Sequence, residues 1–389
     1  MVEHALRPPV RLLLGPGPSG VDPRVLSALS QTLLGHLDPA FLAIMDDVQG
    51  MLRQVFGTTN RVTLPISGTG TAGMETAFAN LVEPGDRVVV CVAGYFGARM
   101  AEMVERAGGT AVRVEVPWGT PVPVERLAAA LRDAGGPVKA VAIVHAETST
   151  GVLQPLEEIV RLARDAGALV IVDAVTSLGG VPLTVDRASA DGNAIDVCYS
   201  GSQKCLGAPP GLAPITFAPR ALEAIAKRTR PSAAWYLDIG LLAKYWGPER
   251  VYHHTAPINM VYALREALAL ALAEGLDARH ARHRKVWEQL CRGVEGLGLE
   301  FLVEERYRLP VLTTLRVPEG VDERAVRGRL LSEHNIEIGG GLGPLAGKIW
   351  RVGLMGYSAR EENVARFLTA MRIILGKPRM SRRPPPRPA

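Results

Sequence analysis

Short apolar runs alternate with longer amphipathic segments through the first half of the chain. The apolar runs are rich in Val and Ile, which is typical of strands buried on both faces. The segments between them repeat apolar residues at helical spacing. This alternation predicts an α/β fold with a mainly parallel sheet covered on both faces. The predicted strands span 87–92, 111–116, 138–144, 169–173, 195–199 and 211–217, and helices are predicted over 22–56 with a break near residues 35–39, and over 98–107, 124–134, 156–166, 258–276 and 279–297.

The pattern changes over the last eighty or so residues before the tail. Strand-like stretches at 312–317 and 349–352 are interleaved with helical segments at 322–333 and 361–375. This arrangement predicts a compact α+β domain. We therefore expect an N-terminal arm over 1–20, a large domain over 21–276 and a small C-terminal domain over 277–376.

The net charge of +5 is concentrated at the C-terminus. Five Lys and Arg residues and no acidic residue lie within 377–389, so the rest of the chain is balanced. The segment is rich in Arg and Pro and poor in apolar residues, which predicts a disordered tail. Because the body carries no net charge and no aromatics are interleaved in the basic cluster at 279–285, we expect no nucleic-acid partner.

The remaining composition is that of an ordinary globular protein, with 47% hydrophobic and 21% charged residues. No apolar run is long enough to suggest a membrane span, and the N-terminal residues have no signal-peptide core, so we expect a cytoplasmic protein. The four cysteines show no CxxC spacing, which favours packed, reduced thiols.

Two apolar runs are each followed by a residue whose side chain is suited to binding a ligand or to catalysis. The run 169–172 stops at Asp173, which places a carboxylate at the carboxyl end of a predicted strand, where open α/β sheets bind ligands. The run 195–199 opens into a small polar loop that contains Lys204. A lysine next to apolar walls is suited to Schiff-base chemistry, because desolvation lowers its pKa and frees the amine. Either residue alone is more often a helix cap or a solvated side chain.

A glycine-rich loop at 67–73 follows another predicted strand and precedes a helix that begins near Ala72. Free N–H groups and the helix dipole favour a phosphate at such a position. The loop also satisfies GxGxxG, which leaves an NAD-dependent dehydrogenase as an alternative. The dehydrogenase alternative lacks the ribose-binding acidic residue that is expected after the second strand, since the run 87–92 is followed by Ala93, Gly94, Tyr95 and Phe96.

Two histidine-containing segments have simpler interpretations. His253 and His254 are adjacent, so they cannot both face one metal ion from a regular element, and we expect no metal site there. The basic cluster from Arg279 to Lys285 lies on a predicted helix, and we interpret it as a solvated face.

Taken together, these motifs resemble the alanine–glyoxylate and serine–pyruvate branch of the class-V aminotransferases, which depend on pyridoxal 5'-phosphate (PLP). The resemblance runs from Gly15 almost to the final helix. It is carried by Gly-Pro-Gly-Pro-Ser at 15–19, Ser-Gly-Thr-Gly at 67–70, Ser-Thr-Gly-Val-Leu-Gln-Pro at 149–155, Ser-Gly-Ser-Gln-Lys at 200–204, Ala-Pro-Pro-Gly at 208–211, Tyr-His-His-Thr at 252–255 and Gly-Gly-Leu-Gly-Pro at 340–344.

The resemblance implies a role for individual residues in the PLP fold of type I. Lys204 would be the Schiff-base lysine, and Asp173 would partner the pyridine nitrogen. The remaining cofactor-binding residues would be Thr69, Gly70, Thr71 and Gln203 at the phosphate end, Phe96 and Val175 on the ring faces, Thr148 near the ring hydroxyl, and Tyr252 and Thr255 from the neighbouring subunit of a homodimer. Gly17 and Arg351 would contact the substrate, Arg351 by pairing with its carboxylate.

The activity implied is transfer of an amino group from alanine or serine to glyoxylate with ping-pong kinetics. Phe96 and Thr71 depart from the animal members of the family, which have Trp and His there, so the amino donor stays open. Pyridoxamine–pyruvate and 2-aminoethylphosphonate transaminases are alternatives within the cofactor class. A cysteine desulfurase would need a mobile nucleophilic cysteine, and a protein that only binds PLP would not need Lys204, Asp173 and Arg351 together.

Overall fold

A computed structural model describes residues 6–189, 192 and 194–376, and the predicted tail at 377–389 lies outside this range. The strands are β1 Leu12–Leu13, β2 Val62–Ser67, β3 Arg87–Val92, β4 Thr110–Glu115, β5 Val138–Val144, β6 Ala146–Glu147, β7 Val152–Leu153, β8 Leu169–Asp173, β9 Val197–Tyr199, β10 Leu212–Phe217, β11 Leu312–Arg316, β12 Ile336–Glu337, β13 Gly339–Gly340 and β14 Ile349–Gly353. The helices are α1 Pro23–Leu29, α2 Pro39–Phe56, α3 Gly70–Leu81, α4 Tyr95–Arg106, α5 Val124–Arg132, α6 Glu157–Asp165, α7 Pro219–Ala226, α8 Ile239–Trp246, α9 Ile258–Glu274, α10 Leu276–Gly296, α11 Glu323–His334 and α12 Glu361–Ile374.

The central sheet has the strand order β2-β10-β9-β8-β5-β3-β4. All neighbouring strands from β9 to β4 pair in parallel, and β10 is antiparallel to both of its neighbours. The side chains of β8 are buried throughout, as expected for a strand covered on both faces. The prediction of an α/β fold with a mainly parallel sheet is therefore confirmed.

The parallel strands all end at the same edge of this sheet, which brings together segments that are far apart in sequence. β2 leads into the start of α3, and β3 leads into the start of α4. β8 ends at Asp173, and β9 is followed by the loop that carries Lys204. Helix starts and polar strand ends therefore face one crevice.

The C-terminal part has its own small sheet. β11, β14 and β13 form an antiparallel sheet, and β12 pairs in parallel with β1 from the N-terminal arm. The buried apolar residues form two main clusters, one around the central sheet and one between α10, α11, α12 and this small sheet. Leu14 belongs to the second cluster, so the arm packs against the C-terminal part. The boundary at 276/277 stays a prediction, although α10 begins there.

The interpretation of the cluster from Arg279 to Lys285 as a solvated face is wrong for two of its members. Arg279 is 6% exposed and donates hydrogen bonds to the carbonyls of Gly179 and Cys205. His283 is fully buried and accepts a hydrogen bond from the N–H of Gly356. These partners lie far away in sequence, so the charge pattern of the helix alone could not reveal the burial.

Other differences concern the bounds of elements. Helix α4 begins at Tyr95, three residues before its predicted start, which places Phe96 in its first turn. The sequence analysis assigned no element to α7 and α8. Within the described residues, no helix is both long and apolar enough to cross a membrane.

Candidate active site

A cavity lies at the edge of the central sheet where the parallel strands end. Nine of the residues predicted from the sequence line it together with Met74, Val144, Ala146 and Thr176. These nine are Thr69, Gly70, Thr71, Phe96, Thr148, Asp173, Val175, Gln203 and Lys204. The fold thus assembles this set from five separate segments of the chain.

Lys204 lies inside this cavity and is only 8% exposed. Burial lowers the pKa of its ammonium group to about 8, and the positive charge of Arg351 acts in the same direction, while Asp173 opposes it. Its Nζ donates a hydrogen bond to the carbonyl of Pro16 in the N-terminal arm. Since a larger fraction of this amine is neutral near pH 7 than in water, Lys204 is suited to act as a nucleophile and to accept a proton.

Asp173 terminates β8 and is 3% exposed. Its Oδ1 accepts a hydrogen bond from the N–H of Val175 at 2.8 Å. Burial raises the pKa of this carboxyl group to about 7, and Glu147 adds to the increase, whereas Val175 and Lys204 oppose it. A protonated ring nitrogen beside Asp173 would stabilise its charged form, because an opposite charge lowers the pKa of a carboxyl group.

One end of the cavity offers hydrogen-bond donors to an anion. Thr69 precedes α3, and its side chain makes no capping hydrogen bond, so it does not occupy the N–H groups at the helix start. The Oε1 of Gln203 is buried and has no hydrogen-bond partner among the described residues. Rotation of this carboxamide by 180° would turn its NH2 group toward a ligand. A phosphate group fits both features.

The middle of the cavity is lined by apolar and hydroxyl groups suited to a flat ring. Phe96 lies in the first turn of α4, and Val175 follows Asp173 closely. A methyl group of Val175 would lie 3.0 Å from a Cβ placed on Gly70, so these two segments are in close contact. Thr148 is 2% exposed and also lines the cavity.

Arg351 lies in β14 of the small sheet and contacts Thr148, one of the residues that line the cavity. Its Nε donates to the carbonyl of Gly340 at 2.6 Å, and its Nη1 donates to the carbonyl of Thr148 at 3.1 Å. Burial lowers its pKa to about 10, which leaves it charged at neutral pH. Its Nη2 has no hydrogen-bond partner in the part of the chain that the structure describes, and it is therefore available to a carboxylate.

Arg351, Gly17, Tyr252 and Thr255 are the four predicted residues that do not line the cavity. Gly17 lies directly against Lys204, since a Cβ at this position would be 2.6 Å from Nζ. Tyr252 and Thr255 are exposed, Tyr252 to 57%. Their predicted contact with the phosphate of a neighbouring subunit stays a prediction.

Pro16 and Glu147 also belong to this region, although neither is among the site residues predicted from the sequence. Glu147 lies in a polar stretch that follows the predicted strand 138–144, and nothing in that stretch distinguishes it from its neighbours. The structure places Glu147 in β6, buried between two residues that line the cavity. The contact of Pro16 with Lys204 joins residues separated by nearly half the chain, so no local pattern could predict it.

The cysteines and histidines give no sign of other chemistry. All four cysteines are free and buried, and burial raises the pKa of Cys205 and of Cys291 to about 12. Such thiols are poor nucleophiles, which argues against a desulfurase. His254 hydrogen-bonds Ser67 at 2.7 Å, and the described residues contain no group of three or more His, Cys, Asp or Glu that could hold a metal ion.

The residues of the cavity fit PLP. A buried lysine with a lowered pKa, a buried carboxylate at the ring position and an amide with an unpaired oxygen next to a helix start match the aldehyde, the ring nitrogen and the phosphate. These three features lie in one cavity of suitable chemistry. The arrangement supports the roles that the resemblance implies.

Comparisons with known proteins agree with this chemistry. The family model described as "Aminotransferase class-V" matches residues 13–367. The (S)-ureidoglycine–glyoxylate transaminase of Bacillus subtilis is 40% identical over 94% of this chain and 91% of its own length, and the alanine–glyoxylate aminotransferase of Rattus norvegicus is 42% identical over 94% and 87%.

A solved structure extends the comparison to three dimensions. The alanine–glyoxylate aminotransferase of Nostoc sp. superposes with a TM-score of 0.93 at 52% identity, covering 96% of this chain and 98% of that chain. The glycine-rich loop therefore no longer supports an NAD-dependent dehydrogenase, since it occurs here within an aminotransferase fold. This chain belongs to the class-V aminotransferases, enzymes of PLP fold type I that use pyridoxal 5'-phosphate as cofactor.

Proposed function

We propose that this protein transfers an amino group from alanine or serine to glyoxylate. The products are glycine and either pyruvate or hydroxypyruvate. The observation that carries this proposal is the position of Arg351, whose charged and partly unpaired guanidinium is bonded to the carbonyl of Thr148, a residue that lines the same cavity as Lys204. Every substrate of the reaction is a small carboxylate, and the names of the relatives compared above share glyoxylate.

Lys204 moves the proton in this reaction. When bound, PLP supplies a ring that accepts the electron pair left on the substrate α-carbon. The neutral amine of Lys204 would take the proton from that carbon as a base and then deliver it as an acid to the aldehyde-derived carbon of the cofactor, two atoms away. Burial favours this role because it lowers the pKa of the amine toward neutral pH.

The other residues orient the reactants. Arg351 holds the substrate carboxylate, and its two bonds to backbone carbonyls fix the direction of the guanidinium.

Asp173 holds the ring nitrogen in its protonated form. Thr69, Gly70, Thr71 and Gln203 hold the phosphate end, and Phe96, Val175 and Thr148 contact the ring. Gly17 keeps the N-terminal arm close to the reacting atoms. Because one site serves both half-reactions, amino acid and oxo acid bind in turn.

We also propose a homodimer in which Tyr252 and Thr255 complete the phosphate site of the partner. Both side chains are exposed on a segment held in place by the bond between His254 and Ser67. Trp235 and Tyr236 are exposed as well, so the same region presents a large aromatic surface. Burial of this surface against a second copy would stabilise the pair.

The second candidate donor is (S)-ureidoglycine. The Bacillus relative whose name contains this donor is about as similar to this chain as the rat enzyme. The two proposals share the acceptor and the residues named above, and they differ only in the side chain that the donor pocket must accept. Pyridoxamine is a further alternative donor.

The test is a single-turnover titration of the purified holoenzyme. Alanine, serine, (S)-ureidoglycine and pyridoxamine are added in turn, and the absorbance of bound PLP near ~400–430 nm is followed. We expect alanine or serine to bleach this band and glyoxylate to restore it, and Lys204→Ala to show neither change. Bleaching by (S)-ureidoglycine alone would move the function to the second candidate. A band that no amine bleaches would overturn both.

A further inference from the structure

Glu147 is a buried carboxylate at the active site whose role is not covered by the proposals above. It is 2% exposed and lies in β6 between Ala146 and Thr148, which both line the cavity. A charged side chain is rarely buried this deeply without specific partners, because desolvation of a charge is unfavourable. Its partners therefore indicate what it does.

Four donors converge on its two oxygens. Oε2 accepts hydrogen bonds from the N–H groups of Phe96 at 3.2 Å and Gly97 at 3.4 Å. Oε1 accepts from the N–H of Ser149 at 3.0 Å and from its Oγ at 2.6 Å. A carboxylate satisfies all four donors, whereas an amide would turn its NH2 group against at least one of them.

These bonds cap α4 from outside the helix. The residue before the helix, Gly94, has no side chain to accept from the first N–H groups. Glu147, which lies in β6, accepts hydrogen bonds from two of these N–H groups instead. Ser149 Oγ accepts one from the N–H of Tyr95 at 3.0 Å. A Cβ at Gly94 would lie 2.6 Å from Glu147 Cγ, so the carboxylate packs directly under the turn that leads to Phe96.

A negative charge on Glu147 would also act on two cationic groups of the site. It raises the pKa of Arg351 against the larger effect of burial, and it acts in the same direction on Lys204. Burial raises the pKa of Glu147 itself, and the hydrogen bonds from Ser149, Gly97 and Phe96 only partly offset this. The four donors on its two oxygens are thus what favours the negative form inside the protein.

We propose that Glu147 is a positioning residue for the cofactor. Its carboxylate fixes the first turn of α4 and thereby holds the Phe96 ring against PLP. This inference rests on the proposed role of Phe96 in contacting the cofactor ring. If Glu147 only capped the helix, its loss would lower stability but would leave the affinity for PLP unchanged.

The test uses Glu147→Gln, Phe96→Ala and the double variant, each depleted of PLP and then titrated with it. We expect Glu147→Gln to raise the dissociation constant of PLP about tenfold, as expected for a lost hydrogen bond to a charged group, and to weaken the visible circular dichroism of the bound cofactor. The effects of the two substitutions should be markedly less than additive, because both act on the same contact. Additive effects, or an affinity within about twofold of the wild type, would overturn the proposal.

Asp196→Asn is the matched control. Asp196 is 1% exposed and accepts from the N–H of Val170, at the opposite end of β8 from Asp173. Its neutralisation should lower the melting temperature while the affinity for PLP stays within about twofold of the wild type. If Glu147→Gln does not fold, Ser149→Ala tests the proposal instead. It removes one hydrogen-bond donor to Glu147 and keeps the Glu147 carboxylate. It should weaken PLP binding about threefold, and unchanged binding would overturn the proposal.

The result is separable from the proposed function. Wild-type holoenzyme is first assayed with glyoxylate and each of alanine and serine as donor. Failure of that assay contradicts the proposed reaction, whereas the effect of Glu147 on PLP affinity is measured without any substrate.

Discussion

At the scale of single residues, the site depends on two titratable groups whose ordinary pKa values are shifted by burial. The pKa of Lys204 is lowered to about 8, and that of Asp173 is raised to about 7. Burial disfavours the charged form in both cases, so the shifts have opposite signs for an amine and a carboxyl group. For Lys204 the shift brings the amine closer to the pH at which proton transfer is efficient.

The pH dependence of PLP attachment tests this for Lys204. The neutral amine is the nucleophile, so the rate should increase about tenfold per pH unit below the pKa and level off above about pH 8. The measurement is stopped-flow absorbance after PLP is mixed with cofactor-free protein. A lysine peptide is the control, since its rate should continue to rise toward pH 10. A protein rate that also rises through pH 10 would contradict the prediction.

At the scale of elements, the turn between β1 and α1 holds the loop that carries Lys204. The N–H of Ser19 donates to the carbonyl of Gln203 at 2.9 Å, and its Oγ donates to the carbonyl of Lys204 at 2.8 Å. Gly17 has a φ of +106°, a conformation that residues with a Cβ rarely adopt. The turn therefore fixes both the backbone and the side chain of the lysine.

Gly17→Ala should disturb this arrangement without unfolding the protein. The added Cβ would lie 2.6 Å from Lys204 Nζ, and the lysine must move to relieve the contact. We expect kcat/KM to fall about 100-fold, since small misplacements of a catalytic group have effects of this size. Gly167→Ala is the control, because Gly167 also has a positive φ of +75°, but a Cβ added there would meet no other atom within 4 Å. Equal losses of activity in both variants would argue against a specific effect at Lys204.

At the scale of the whole molecule, the proposed activity depends on contact between the parts of the chain that contain the two apolar clusters. It also depends on a second subunit at the exposed aromatic surface. Arg351 from the small sheet is bonded to Thr148 at the edge of the central sheet, so the proposed role of Arg351 requires the two parts of the chain to stay in contact. Tyr252 and Thr255 lie outside this cavity and are exposed. In the proposed homodimer they would take part in the site of the second subunit.

Mixed dimers test the shared site. A Lys204→Ala chain and a chain with Tyr252→Ala and Thr255→Ala are each expected to be nearly inactive. When they are unfolded and refolded together at equal amounts, about half of the dimers combine both chains, and each of these has one intact site. Activity should recover to about one quarter of the wild-type value. No recovery, with dimers present by light scattering, would show that these residues act within their own subunit.

Much of the fold and part of the site are determined by the sequence alone. Repeated apolar runs separated by amphipathic segments were enough to predict the parallel sheet, because burial on both faces imposes that pattern locally. Asp173 and Lys204 could be identified because each follows a strand closely, and parallel strands end at one edge.

Only the tertiary structure decided which side chains support these two residues. Pro16 and Arg351 contact residues of the cavity from opposite ends of the chain, Glu147 caps a helix that begins more than fifty residues earlier, and Arg279 is buried where its helix carries a basic cluster. In each case one of the two bonded groups belongs to the backbone and is brought close by folding. A pattern of residue types records whether a position is polar or apolar, but a hydrogen bond to a distant carbonyl or N–H leaves no trace in it.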